Sequence, residues 1–109
     1  MSTWSFVTNH GGVLILVAKR PQITAREIAA HLGITERSVL RIISDLEAEG
    51  YLTRTRDGRV NTYKVNPDLP LRRPELREVL VGELLNALAF QTLEEKASPE
   101  KKLALNDGI

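Results

Sequence analysis

The stretch from Thr24 to Leu46, TAREIAAHLGITERSVLRIISDL, leaves the chain little choice of architecture. Thr24 suits an N-cap, and Glu27 three residues on completes a capping box. Ala25, Ile28, Ala29 and Leu32 recur at i, i+3, i+4 and i+7, which makes one apolar helical stripe. Gly33 ends that helix, Ile34 fits the angle that follows, and Thr35 caps a second helix. Val39, Ile42, Ile43 and Leu46 form the buried stripe of this second helix, with Gly50 just past its end. Both stripes need one core, so the helices must cross steeply. Glu36, Arg37, Ser38, Leu40, Arg41 and Ser44 are then left on the outer side. Two capped helices, a Gly-centred turn and a small, polar outer face make a helix-turn-helix unit. Its second helix is the one such a unit offers to a DNA major groove. A capped helix pair also occurs in small helical proteins with other roles, so the flanking sequence has to decide.

With 109 residues there is room for one domain, one core and an appended helix. The hydrophobic share of 42% and charged share of 27% are ordinary for a globular chain. No apolar run approaches the roughly 18–20 residues that cross a bilayer, and the N-terminus lacks a signal-peptide layout. Without cysteine there is no disulfide, which suits a cytoplasmic setting. Net charge is only +1, but it is unevenly spread. Residues 19–64 carry nine Lys/Arg against six Asp/Glu, whereas residues 65–109 carry six against eight. The helix-turn-helix half is therefore the basic half.

Before it, the apolar Trp4, Phe6 and Val7 are expected to pack on this chain or on a second copy. The run Val13-Leu14-Ile15-Leu16-Val17-Ala18 suits a buried strand or a buried helix by propensity. A helix is expected, from near Asn9 to before Arg20, because Pro21 disfavours a helical residue ahead of it. Gln22-Ile23 is a candidate for a very short strand. After Gly50 the period changes from 3.6 to 2. Tyr51–Arg56 and Arg59–Val65 are β-favouring runs joined at Asp57-Gly58, a strong hairpin signal suited to a type I′ turn. That turn pairs Leu52 with Tyr63, Arg54 with Asn61 and Arg56 with Arg59. Facing like charges are unfavourable, so the tip either awaits a polyanion or holds two splayed, solvated arginines.

Asn66–Pro74 is a proline-punctuated, extended connector. Pro74 fits the first turn of a last helix running to about Lys96, with Glu75 and Glu78 at its positive end. Leu76, Leu80, Val81, Leu84, Leu85 and Leu88 are among its apolar positions, and they cover more than one stripe. Such a helix touches two things: its own domain and the same helix of a second chain, or else a longer intramolecular core. The expected fold is mainly α (α+β). A winged helix-turn-helix domain spans 1–67, with the helix-turn-helix at 24–46 and the wing at 51–65. A connector and C-terminal dimerising helix span 68–97, and a flexible tail spans 98–109.

Thr8-Asn9-His10, Val13-Leu14, Ile34-Thr35-Glu36-Arg37, Gly50-Tyr51-Leu52, Gly58-Arg59 with Asn61 and Tyr63, Pro70-Leu71-Arg72 and Val81-Gly82-Glu83-Leu84-Leu85 together resemble small prokaryotic winged-helix regulators. The chain is most similar to compact proteins of the MarR/ArsR type over roughly residues 5–90. The resemblance implies a homodimeric DNA-binding repressor or activator. It implies DNA contacts from the recognition helix near Glu36–Ser44 and from the wing near Arg54–Asn61. Arg41 matches an arginine common in MarR-type recognition helices. ArsR-type metal sensors carry Cys or His clusters, whereas this chain has no Cys and only His10 and His31. The chain is also shorter than typical MarR proteins, whose extra helices frame a ligand pocket. No metal or cofactor is expected, and whether an effector exists is left open.

The expected mechanism places two recognition helices about 34 Å apart on a pseudo-palindromic site, with residues 74–96 pairing the copies. Arg37 and Arg41 are candidates for guanine edges or phosphate, and Ser38 and Ser44 for bases or phosphate. Leu40 either touches a thymine methyl or is an ordinary exposed leucine. Glu36 shares this face. Thr24, Arg26 and Thr35 are candidate phosphate contacts at helix N-termini. Arg54, Arg56, Arg59, Asn61 and Lys64 would supply wing contacts. The alternative is a winged helix used for protein–protein interaction without DNA. An enzyme is not expected: there is no Gly-rich phosphate loop, nucleophile elbow or metal-ligand spacing, and His10 and His31 sit apart without an evident partner.

Overall fold

The computed structural model describes residues 5–90. Trp4, the continuation of the last helix to Lys96 and the tail over 98–109 lie outside these residues. Phe6 is 93% exposed and Val7 half-buried.

The run at 13–18 is helical. Helix α1 spans Asn9–Lys19, with Thr8 Oγ1 accepting from the Gly11 N–H at 3.2 Å. Val13, Leu14 and Val17 are its buried side chains. Helix α2 spans Ala25–Leu32 and ends at Gly33, whose φ is 71°. Helix α3 spans Glu36–Ala48 and buries Val39, Ile42, Ile43 and Leu46, the stripe expected from spacing. Ile28 and Ala29 from α2 meet these residues in one core with Ile23, Tyr51, Leu52 and Tyr63. No charged side chain is buried among the described residues. Gln22-Ile23 is not a strand. Instead the Tyr63 N–H donates to the Pro21 carbonyl at 2.8 Å, which ties the α1–α2 loop to the wing.

The wing is an antiparallel pair, β1 over Leu52–Asp57 and β2 over Val60–Val65. Its register differs from the expected one by two residues. Leu52 faces Val65, Arg54 faces Tyr63, Arg56 faces Asn61 and Asp57 faces Val60. The turn residues are therefore Gly58 and Arg59, not Asp57 and Gly58. A type I′ turn needs positive φ at both central positions. Here only Gly58 has it (φ 66°), at the first central position, which is the type II′ requirement. A shift of two leaves every side chain on its face, so Leu52 and Tyr63 still share the core side. It does separate Arg56 from Arg59, and the like-charge pairing inferred at the tip is not formed.

The last helix also starts later than expected. Pro74–Leu76 forms a single 3-10 turn. A turn over 77–78 and a bend at Val79 lead to Leu80, the one extended residue before the helix, and helix α4 covers only Val81–Leu85 before a π-type turn over Asn86–Phe90. The connector folds back on this segment. The Leu71 N–H donates to the Val79 carbonyl at 3.0 Å, Val81 N–H to Leu69 at 2.8 Å, and Gly82 N–H to Pro67 at 2.9 Å. These bonds hold 79–82 against 67–71 and compete with helix for the same backbone groups. The Tyr51 hydroxyl donates to the Pro70 carbonyl at 2.6 Å and fixes the connector to the base of the wing. Val81 and Leu85, expected at an interface between chains, are 2% and 8% exposed and belong to this chain's own core.

A Cβ added at Gly82 would lie 2.7 Å from the Pro67 Cβ and 3.0 Å from its carbonyl oxygen. Neither atom can swing aside. Gly82→Ala should therefore destabilise the fold by about 1–3 kcal/mol, read as a lower urea midpoint at unchanged slope.

Candidate nucleic-acid interface

Burial of the inner stripe of α3 turns Glu36, Arg37, Ser38, Leu40, Arg41 and Ser44 outward, and all six are exposed. Leu40 is 48% exposed on this otherwise polar surface. Thr35 Oγ1 accepts from the Ser38 N–H at 3.0 Å and donates to Ser38 Oγ at 3.0 Å, which orders the first turn.

The charges along α3 are unequally partnered. Glu36 Oε2 lies 4.0 Å from Arg26 Nε of α2. Asp45 Oδ2 accepts from His10 Nε2 of α1 at 2.9 Å. Glu47 Oε1 accepts from Arg54 Nη2 of β1 at 3.3 Å, and Glu49, just past the helix, meets Arg72 of the connector at 3.1 Å. Each carboxylate of this segment thus has a nitrogen partner, from arginine or histidine, on another element. Arg37 and Arg41 have no carboxylate within ion-pair distance among the described residues. No partner for His10 is evident in the sequence, because the pairing spans 35 positions and no local pattern signals it.

Strand alternation divides the wing residues. Arg54, Arg56 and Asn61 share the face of Leu52 and Tyr63, the side packed toward α3, and the Arg54–Glu47 contact anchors it there. Arg56 Nε donates to the Gly58 carbonyl at 3.0 Å, so its side chain follows the turn. Arg59 is exposed in the turn itself. Lys64 pairs with Thr53 on the opposite face, away from the other wing cations. Asn61 Oδ1 is buried and accepts no hydrogen bond.

The start of α2 is less open to a phosphate than the sequence suggests. Thr24 Oγ1 accepts from the Glu27 N–H at 3.1 Å, while Glu27 Oε1 accepts from the Thr24 N–H at 3.0 Å. The Thr24 N–H, and Arg20 at 3.2 Å, hold the Glu27 carboxyl below the usual glutamate range. The helix end already carries an anion. A depressed carboxyl stabilises the fold above its unfolded value, and the effect fades as pH falls through the folded value. Glu27→Gln should therefore lower the urea midpoint at neutral pH, and its deficit against wild type should close as pH drops below the ordinary glutamate range.

Three helices whose third presents a cationic face, followed by a two-stranded ribbon anchored to that helix, make up a winged helix-turn-helix fold. The chain is MarR-like: a MarR family model matches residues 8–60. Solved structures agree on the fold. FabT of Streptococcus pneumoniae, crystallised with DNA, is 19% identical with a TM-score of 0.54, over 95% of this chain and 71% of that one. A variant of Lactococcus lactis ZitR is 16% identical with a TM-score of 0.53, over 98% and 73%. MepR, a transcription regulator of the Staphylococcus aureus multidrug efflux pump MepA, is 18% identical with a TM-score of 0.52, over 94% and 73%. The uncharacterised protein MJ1254 of Methanocaldococcus jannaschii is 37% identical over 59 residues, which cover 53% of this chain but only 13% of that protein.

Proposed function

We propose that this chain is a sequence-specific, DNA-binding transcriptional regulator that acts as a homodimer. The observation that carries the reading is the pair of outward, unpartnered arginines on α3, Arg37 and Arg41, where the neighbouring carboxylates are each held by another element. Arg37 and Arg41 are one helical turn apart and share a face, the spacing with which a helix reads successive base pairs in the major groove. Bidentate Arg–guanine contact is the commonest specific pairing. Ser38, Ser44 and Glu36 flank the arginines, and Leu40 offers an apolar contact to a thymine methyl. Arg54, Arg56, Arg59 and Asn61 of the wing, with Arg26 and Thr35 at the starts of α2 and α3, supply backbone or minor-groove contacts. The MarR family match and the DNA-bound FabT relative support the same reading.

The second copy is proposed to cover the apolar surface left near the C-terminal end of the described chain. Leu76, Leu80 and Leu88 are exposed there and Leu84 is half-buried. A two-fold arrangement would put the recognition helices on half-sites about 34 Å apart.

Titration of the protein against genomic fragments at about 100 mM salt tests the reading, since specific binding survives salt that weakens non-specific contacts. Absence of binding at micromolar protein would instead favour a winged helix that recognises another protein. On a recovered site, Arg41→Ala should cost about 1–3 kcal/mol and relax preference at one base position; equal loss on random DNA would make the residue a phosphate contact. Replacing Arg56 and Arg59 together should flatten the slope of log affinity against log salt by about 2, roughly one per phosphate contact removed.

A further inference from the structure

Asp45 stands four residues after Arg41, so the two side chains are neighbours on the surface of α3. A carboxylate in that position is a natural intrahelical partner for the guanidinium. It is not used that way. Its Oδ2 is turned to His10 Nε2 at 2.9 Å, across the α1–α3 packing, and Arg41 has no carboxylate within ion-pair distance among the described residues. The other charged groups near this turn are also accounted for. Glu49, one turn further on, is held by Arg72, and Glu47 by Arg54. Asp45 is therefore the acidic group of α3 placed to capture Arg41, and His10 is what engages it.

We propose that His10 is a positioning residue for Arg41: by holding the Asp45 carboxylate toward α1, it leaves the Arg41 guanidinium available to an incoming polyanion. This rests on the DNA-binding reading for its consequence, but not for the contact itself. An ionised carboxylate only accepts hydrogen bonds, so the imidazole Nε2–H is the donor. Both side chains are about half exposed, 49% and 54%, so the pair contributes little to stability. Val13, Leu14 and Val17 pack α1 into the core without it. Its effect is to choose between two partners for one carboxylate. Released, Asp45 pairs with Arg41 and withdraws its guanidinium from an incoming polyanion.

The test compares wild type, His10→Ala, Asp45→Asn and the double variant in two readouts. In the free protein, the side-chain N–H signals of Arg41 should shift and its exchange slow in His10→Ala. Both should return to wild-type values when Asp45→Asn is added. Affinity for the tightest fragment recovered from the genomic titration should fall about two- to fivefold in His10→Ala. It should recover in the double variant and not fall in Asp45→Asn alone. In an Arg41→Ala background, His10→Ala should cause no further loss. Unchanged Arg41 signals in His10→Ala, or a double variant as weak as His10→Ala, would overturn the proposal. Arg41 signals that respond as expected in a protein that binds no fragment would uphold the contact and sink the DNA reading instead.

Discussion

Four apolar side chains on one stripe of α3 decide what the rest of that helix can do. Val39, Ile42, Ile43 and Leu46 are buried against α1, α2 and the base of the wing. Each contributes about 1.5–3 kcal/mol relative to exposure, so together they rival the whole stability of a small domain. The helix therefore cannot rotate about its axis without losing most of what holds the fold together. Its orientation, and with it the outward direction of Arg37 and Arg41, follows from hydrophobic burial. No polar contact is needed to aim it.

Polar contacts do something different here. They are spread over the surface, between half-exposed partners, where ion pairs add little to stability. Their arrangement matters more than their strength. Arg26, His10, Arg54 and Arg72 come from α2, α1, β1 and the connector, and each meets a carboxylate of α3 or its C-terminal cap. The helix is bracketed by groups from other elements that engage its acids, and its own arginines have no carboxylate partner among the described residues. A segment with four carboxylates and only two arginines over residues 36–49 can in this way present a cationic face, which the net charge of +1 does not convey.

The wing and the connector show how backbone hydrogen bonds complete the frame. The Arg54–Glu47 contact fixes the ribbon to α3, and the Tyr63 N–H ties its second strand to the loop before α2. Tyr51 then links the base of the ribbon to Pro70, and the connector in turn pins the start of α4. The segment that leads to the C-terminal part of the chain is thus joined to the helix-turn-helix and wing through a short series of side-chain and backbone contacts.

Local chemistry was enough to read the helices. Thr24, Glu27, Gly33 and Thr35 act through neighbours three or four residues away, and the burial stripes of α2 and α3 repeat within single turns, so their signals lie in adjacent residues. The alternation of the wing was equally visible, but its register was not. Asp57-Gly58 suits more than one turn type, and packing of the ribbon on α3 selects between them. The sequence from Pro74 to about Lys96 reads as one helix because apolar content alone cannot distinguish a helical stripe from turns packed on a core. Bonds to Pro67, Leu69 and Leu71, remote in sequence, decided it. The sequence by itself determined which residues could face outward. Only the tertiary structure decided which of those charges find partners, because His10 and Asp45, or Arg54 and Glu47, meet through folding and carry no periodic trace of it.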